Sequence, residues 1–134
     1  MKVFIDSNIP MYVAGRDHDN RGPSLRFMRR VQSGEIDGCT STEVLQEILY
    51  RYTSLKRVDL AAQVYDLFTA ACPTIYPVAL ADTDRAKDLL AGSSGRFSAR
   101  DAVHAAVMLN HGVTLVATFD RGFDAVRGVK RHEL

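Results

Sequence analysis

Short apolar runs alternate with longer amphipathic segments along this chain. Residues 3–5 are three consecutive apolar residues, two of them β-branched, and residues 113–117 form a second run that is nearly all apolar. Runs of this kind are typical of strands that are buried on both faces of a sheet. Weaker strand signals occur in three further segments: residues 36–40, residues 74–78 and a short stretch that runs through Val129.

The segments between these runs have the apolar spacing of helices. This spacing predicts six helices, over residues 9–13, 23–34, 40–57, 59–72, 82–90 and 98–111. Pro23 suits the first position of the second helix, and Asp59 is expected to cap the fourth. Because predicted strands alternate with predicted helices, we expect one α/β domain over residues 1–134, with a central parallel sheet of four to five strands.

Acidic residues directly follow the two most apolar strands. Asp6 and Asp120 both lie just beyond the carboxyl end of such a run, and in open parallel sheets this edge is where ligands bind. Asp101 lies in the first turn of the last predicted helix, whose amino terminus faces the same edge. Ser98 and Asp101 also fit a helix-capping box, so a structural role explains Asp101 about equally well. The pattern predicts that the three carboxylates converge.

Two glutamates compete for a fourth position at this edge. A rotation of about 100° per residue places Glu47 at the margin of the apolar stripe of helix 40–57 and Glu43 opposite the stripe. Glu43 also fits a capping box with Thr40. We therefore predict that Glu47 contributes to chemistry and that Glu43 caps the helix.

Carboxylates clustered without lysine or arginine between them in these motifs repel one another, and a divalent cation would relieve the repulsion. Oxygen ligands without cysteine favour Mg²⁺ or Mn²⁺, which position phosphates and activate water. Without metal, at least one carboxylate is expected to have a raised pKa, and Asp6→Asn to raise the melting temperature. The histidines lack metal-ligand spacing; His104 could orient Asp101, although a packed or solvent-facing histidine is the commoner finding.

Composition narrows the function only a little. The net charge is +1, so charge alone does not indicate a nucleic-acid-binding protein. Basic residues are nevertheless clustered in two segments, and four arginines there are candidates for contacts with an RNA backbone, with solvated surface as the alternative: Arg16, Arg21, Arg121 and Arg127. The two cysteines form no disulfide framework and predict a reducing, cytoplasmic location, and no apolar run is long enough to span a membrane.

Four motifs in series resemble the PIN-domain ribonuclease family, and the chain length resembles the VapC-type toxins of toxin–antitoxin pairs. The motifs cover residues 3–8, 41–49, 98–106 and 118–124. The resemblance implies a three-layer α/β/α fold and an endoribonuclease that uses Mg²⁺ or Mn²⁺. It further implies a homodimer and silencing by an antitoxin peptide that covers the site. It assigns the metal-binding positions to Asp6, Glu47, Asp101 and Asp120, with Asp124 as a variable extra acid.

The same resemblance assigns supporting hydrogen bonds to Thr118 and to either Ser7 or Asn8. Three other functions remain open at this point. One is a non-toxin PIN nuclease in RNA processing, and another is a non-catalytic PIN-like binding module. The third is a haloacid-dehalogenase-like phosphatase, although that class would place a second aspartate where this chain has Asn8.

Overall fold

The computed structural model describes residues 1–134 and consists of five strands and six α-helices. The strands are β1 (Lys2–Ile5), β2 (Asp37–Ser41), β3 (Thr74–Tyr76), β4 (Leu115–Ala117) and β5 (Lys130–Arg131). The helices are α1 (Asn8–Ala14), α2 (Arg21–Gln32), α3 (Thr42–Ser54), α4 (Val58–Ala71), α5 (Leu80–Ala91) and α6 (Ala99–Asn110). A short 3₁₀ helix (Arg121–Ala125) follows β4. None of the helices has the length and apolar character needed to span a membrane.

All five strands are parallel and lie in the order β3-β2-β1-β4-β5. Strand β1 is central, as its apolar sequence predicts, and the side chains of Val3, Phe4 and Ile5 are almost completely buried. The chain moves outward from β1 to β2 and β3, then crosses back to β4 on the other side of β1. This reversal opens a crevice at the carboxyl ends of β1 and β4, the usual ligand position in such sheets.

Side chains of β1 alternate between two helical layers. The Phe4 ring lies 5.7 Å from the His104 ring of α6. On the opposite face, Ile5 meets Val31 of α2 above Gly38, where an added Cβ would come within 3.0 Å and 2.9 Å of their side-chain atoms. Only glycine lets α2 approach the sheet so closely. Right-handed crossovers place α1 to α4 on this face and α5 and α6 on the other, which confirms the predicted three-layer α/β/α fold.

Helix α3 begins later than its sequence predicts. Thr40 belongs to β2, and its hydroxyl donates a hydrogen bond to the Ile5 carbonyl at 2.9 Å. The residue before the helix is therefore Ser41, and the predicted capping box between Thr40 and Glu43 is wrong. The Thr40 hydroxyl, which the local pattern assigned to a helix cap, forms a buried hydrogen bond to the neighbouring strand instead. The helix also ends at Ser54 rather than at residue 57.

Other boundaries differ by one to three residues. Helix α2 begins at Arg21, so Pro23 occupies the third position, where its missing N–H costs no intrahelical bond. Asp59 does not cap α4; it lies in the first turn and pairs with Arg57 at 3.2 Å. Helix α5 begins two residues before Asp82, whose carboxylate accepts the Ala79 N–H at 2.8 Å.

Two of the predicted strands, β3 and β5, are also adjusted. Strand β3 ends at Tyr76 because Pro77 cannot donate to the sheet. Strand β5 covers Lys130–Arg131, directly after Val129, through which the sequence predicts the strand to run. Three leucines in or directly after α3 and α4 are exposed: Leu49, Leu55 and Leu67.

Candidate active site

Asp6 lies at the carboxyl end of β1, as predicted, and is almost completely buried. Its N–H donates to the Ala117 carbonyl at 3.1 Å, which continues the β1–β4 pairing by one residue. Its Oδ1 accepts the Ser7 N–H at 2.7 Å. Its Oδ2 accepts the Thr118 hydroxyl at 2.7 Å and the Asn8 amide at 3.1 Å. Both carboxylate oxygens of Asp6 therefore have fixed positions.

Thr118 connects the ends of the two central strands. While its hydroxyl donates to Asp6, its oxygen accepts the Asn8 amide and the Asp120 N–H, each at 3.0 Å. The Asn8 carbonyl oxygen in turn accepts the Phe119 N–H at 3.4 Å. Asn8 and Thr118 thus tie the loop after β4 to the end of β1.

Glu47 reaches the same crevice from α3 and is buried, whereas Glu43 is partly exposed and lies outside the cavity. The Ser7 hydroxyl donates to Glu47 Oε2 at 2.8 Å, and His104 Nε2 forms a hydrogen bond with Glu47 Oε1. The helical-rotation argument therefore chose the glutamate that enters the crevice. Ser7 and Asn8 both take part, each at a different carboxylate.

Asp101 and Asp120 form the opposite side of the site. The Ser98 hydroxyl accepts the Asp101 N–H at 3.1 Å, so Ser98 caps α6. The Asp101 carboxyl group does not complete the capping box; it lies within hydrogen-bonding reach of Asp120. The Gly122 N–H donates to Asp120 Oδ1 at 2.8 Å. A Cβ at Gly122 would come within 2.8 Å of Asp101 Oδ2 and 3.0 Å of Asp120 Oδ1, so glycine leaves room for both carboxylates.

These side chains enclose a polar cavity of about 170 Å³ without any hydrophobic lining residue. Its walls are Asp6, Ser7, Asn8, Glu47, Ser98, Arg100, Asp101 and Asp120. Arg100 is exposed, and none of the ion pairs of the structure includes it. Its position directly before Asp101, at the start of a helix that faces the sheet edge, is the sequence signal that would have identified it.

Burial and like charge raise two of the carboxyl pKa values. Burial and then the neighbouring Asp120 carboxylate raise the pKa of Asp101 to about 7. Burial also raises the pKa of Asp6, although the His104 charge and the Thr118 hydrogen bond oppose it. The expected repulsion is thus present, with desolvation as the larger cause.

Glu47 and His104 shift each other in the opposite sense. Burial alone would raise the pKa of Glu47, but the hydrogen bond and charge of His104 lower it below its usual value. Burial would likewise lower the pKa of His104, but the Glu47 hydrogen bond and the nearby carboxylates raise it. Nε2 therefore carries the proton of this pair, because it faces Glu47 and lies 3.7 Å from Asp6 Oδ1. The predicted contact of His104 with Asp101 is replaced by this contact with Glu47.

The remaining candidates lie outside the cavity. Asp124 is exposed and held by Arg131, with its two carboxylate oxygens 2.8 Å and 3.0 Å from guanidinium nitrogens, so the structure does not bring it to the other acids. Three of the candidate RNA-binding arginines are exposed, whereas Arg21 is half-buried with an unpartnered Nε: the exposed ones are Arg16, Arg121 and Arg127.

The family model of the PIN domain matches residues 3–129. The chain belongs to the PIN-domain family. Ribonuclease VapC13 of Mycobacterium tuberculosis is 38% identical to this PIN domain over 129 residues, which is 96% of this chain and 98% of VapC13. The match therefore extends over almost the full length of both proteins.

Solved structures share the fold of this PIN domain at low sequence identity. VapBC2 from Rickettsia felis, solved bound to a DNA fragment from its promoter, superposes with a TM-score of 0.76 at 15% identity and covers 98% of both chains. A toxin–antitoxin complex from Klebsiella pneumoniae gives a TM-score of 0.68 at 15% identity, covering 96% of this chain and 95% of that one. These likenesses establish the fold alone.

Proposed function

We propose that this PIN domain, acting as one unit over residues 1–134, is a metal-dependent endoribonuclease and the toxin of a toxin–antitoxin pair. The observation that carries the proposal is the convergence of Asp6, Glu47, Asp101 and Asp120. These four acids come from four separate segments of the chain and line one cavity at the switch point of the sheet. The ribonuclease name of its 38% identical relative supports the reaction class.

The donor set of the cavity fits a hard divalent cation. Four carboxyl groups supply only oxygen ligands, which suits Mg²⁺ or Mn²⁺. Since a water molecule takes about 30 Å³ of liquid volume, the cavity of about 170 Å³ has room for an ion together with several waters. The four acids would hold the ion, and a bound ion supplies charge neutralisation and a water of lowered pKa for attack on the phosphodiester.

The residues of the chain orient the reactants around this charge. Thr118 and Asn8 fix one oxygen of Asp6, so that carboxylate keeps a single direction. Asp101, with a pKa of about 7, can hold or release a proton near neutral pH at the cavity wall. Arg100 lies at the same wall without a carboxylate partner, where it can bind a phosphate of the RNA.

We propose that the RNA backbone follows basic side chains on both sides of the cavity. Arg100 lies on one side. On another side, a groove of about 980 Å³ begins at Asn8 and contains Arg16 and Arg51. Arg21, Arg121 and Arg127 remain candidates for more distant contacts. Phosphate contacts of this kind give affinity without sequence preference.

Two protein partners belong to this proposal. An antitoxin would silence the enzyme by covering the acidic cavity, and the toxin–antitoxin complex with the same fold supports such a partner. A second copy of the chain would form a homodimer, for which the exposed apolar side chains of Leu49, Tyr50 and Leu80 are suitable contacts. The two cysteines are buried and free, in keeping with the proposed cytoplasmic location.

Two alternatives make different use of the same residues. A dehalogenase-like phosphatase would need an acid at position 8, but the Asn8 amide is already bonded to Asp6 and Thr118. Four carboxyl groups in a cavity without hydrophobic residues repel one another, and a non-catalytic PIN-like module does not require them. The family match and the site therefore favour the nuclease.

The decisive experiment measures cleavage of a pool of labelled single-stranded oligoribonucleotides. Wild-type protein is expected to cleave them with Mg²⁺ or Mn²⁺ and to be inactive with EDTA. Asp120→Asn should be inactive, and Asp124→Asn is the matched control because that carboxylate is bound by Arg131 outside the cavity. Induced expression of wild type, but not of Asp120→Asn, should arrest bacterial growth if the nuclease is a toxin.

Other results would select an alternative. Release of phosphate from p-nitrophenyl phosphate without RNA cleavage would indicate a phosphatase. Calorimetric binding of Mn²⁺ without cleavage of any oligonucleotide would indicate a non-catalytic module. Cleavage without growth arrest would indicate a PIN nuclease in RNA processing.

A further inference from the structure

His104 is buried directly behind the acidic cavity. Only 1% of its surface is exposed. The rings of Phe4 and Phe123 lie close to it, with centroid distances of 5.7 Å and 6.5 Å. It does not belong to the lining of the cavity. A histidine among aromatic rings is usually a packing residue, but this one is hydrogen-bonded to a carboxylate that does line the cavity.

The contact with Glu47 joins two helices. Glu47 lies on α3 and His104 on α6, 57 positions apart in sequence. His104 Nε2 forms a hydrogen bond with Glu47 Oε1, and the Ser7 hydroxyl donates one to Glu47 Oε2 at 2.8 Å. A glutamate side chain has three rotatable bonds and is costly to order. Two donors on its two oxygens leave the Glu47 carboxylate a single orientation at the wall of the cavity.

We propose that His104 is a positioning residue that holds Glu47 in the orientation required to bind the divalent cation. This inference rests on the metal dependence in the proposed function and goes beyond it by assigning a role to a residue outside the cavity. His104 acts through Glu47 and not as a ligand, because its Nε2 is directed at the Glu47 carboxylate and the ring does not reach the cavity surface.

The test measures Mn²⁺ binding by isothermal titration calorimetry on purified protein without RNA. His104→Leu removes the donor and is expected to weaken Mn²⁺ binding about 10- to 100-fold, the usual cost of losing such a partner. His104→Gln keeps an N–H donor that can reach Glu47, so it should recover most of the affinity. His104→Asn is too short to reach and should behave like His104→Leu.

A double-mutant cycle shows whether the effect passes through Glu47. In a Glu47→Gln background the positioned carboxylate is absent, so His104→Leu should cause no further loss of Mn²⁺ affinity. Met108→Ala is the matched structural control, because Met108 lies one turn later on the same helix and is fully buried. It should lower the melting temperature and leave Mn²⁺ affinity unchanged.

Several results would overturn the inference. One is a His104→Leu variant that binds Mn²⁺ as tightly as wild type, or is weakened no more than Met108→Ala. Another is an undiminished effect of His104→Leu in the Glu47→Gln background. If His104→Leu does not fold, equal affinities of His104→Gln and His104→Asn overturn it instead. Wild type that binds Mn²⁺ but cleaves no RNA refutes the nuclease alone, and wild type that binds no Mn²⁺ refutes both.

Discussion

The two halves of the acidic cavity are built differently. Asp6 and Glu47 have hydrogen-bond donors on all four of their carboxylate oxygens. Asp120 receives a single backbone N–H from Gly122, and Asp101 faces Asp120. We call the first two the anchored pair and the last two the facing pair. The protein satisfies the charge of the anchored pair, whereas the facing pair holds two like groups together.

This difference separates two costs of keeping carboxylates in a buried site. In the anchored pair, donors fix the direction of both carboxylates. Despite burial, His104 lowers the pKa of Glu47, whereas burial still raises the pKa of Asp6. In the facing pair, burial and then the neighbouring Asp120 carboxylate raise the pKa of Asp101, and the nearby His104 charge does not cancel that rise. A cation therefore relieves the facing pair most, and the anchored pair supplies the fixed frame for it.

The largest expected effect comes from removing one charge of either pair. Asp6→Asn and Asp101→Asn should each reduce RNA cleavage by more than about a hundredfold, since each would remove a proposed metal ligand. Their effects on metal-free stability should have opposite signs. Asp101→Asn relieves repulsion and should raise the melting temperature in EDTA. Asp6→Asn puts an amide among three donors and should lower the melting temperature in EDTA. The expected loss of unfolding free energy is about 1–3 kcal/mol.

The sequence leads to the expectation that Asp6→Asn stabilises the metal-free protein, whereas the three donors on Asp6 lead us to predict the opposite sign. Thermal melts of both variants in EDTA provide the measurement. Asp124→Asn serves as a control for loss of a carboxylate on the surface. If both cavity variants shift the melting temperature in the same direction, the distinction between anchored and facing pairs does not hold.

The next largest effect distinguishes the two glutamates. Glu47→Gln loses the charge that pairs with His104 and should reduce cleavage about 10- to 100-fold. Glu43→Gln changes a partly exposed residue outside the cavity, so its effect on stability should stay within about 0.5 kcal/mol. Cleavage assays and thermal melts of both variants check this ranking. If Glu43→Gln loses more activity than Glu47→Gln, the assignment of the chemistry to Glu47 is wrong.

A pH dependence follows from the facing pair. Below about pH 4, near its unfolded pKa, Asp101 is neutral in both states. Between there and its folded pKa of about 7, the unfolded chain loses the proton that the folded protein keeps. Its contribution to stability therefore falls as pH rises through this window and is lowest above it. The melting temperature in EDTA should fall more steeply from pH 5 to 8 in wild type than in Asp101→Asn.

The affinity for Mn²⁺ should also depend on the ionisation of Asp101, but it should rise with pH where the stability of the metal-free protein falls. The cation requires the ionised carboxylate, so Mn²⁺ affinity should increase about tenfold between pH 6 and pH 8 through Asp101. Calorimetry in buffers of different ionisation enthalpy measures the proton released on binding. If Asp101→Asn releases as many protons on binding Mn²⁺ as wild type, the released proton comes from another carboxyl group.

Most of the fold follows from local patterns, and so do the four acids that line the cavity. Strand β1 and helix α6 are predicted well because both are apolar on nearly every side, which only a buried central position explains. Asp6 and Asp101 follow from the ends of those elements. Boundaries such as that of α3 were missed because the Thr40 hydroxyl bonds Ile5, 35 positions away, and no local pattern contains such a partner.

The supporting residues of the site were harder to predict for the same reason. His104 meets Glu47 only after α3 and α6 have packed at the sheet edge. Gly122 matters because two carboxylates, one of them 21 positions earlier, occupy the space of its missing side chain. The spacing of charged residues within one helix indicates neither contact. A sequence motif thus predicts which acids converge, whereas the groups that hold them depend on tertiary packing.

The smallest expected effect concerns Arg100, the cation at the cavity wall near Glu47. If it binds one phosphate of a single-stranded RNA, Arg100→Ala should reduce the slope of log K against log salt by about 0.7. Fluorescence anisotropy of a labelled oligoribonucleotide in EDTA measures this slope without cleavage. Arg29→Ala is the matched control, because Arg29 lies in the last turn of α2, which leads into the start of β2 at the opposite edge of the sheet. Equal slopes in both variants would show that Arg100 makes no phosphate contact and that the RNA enters the cavity along another side.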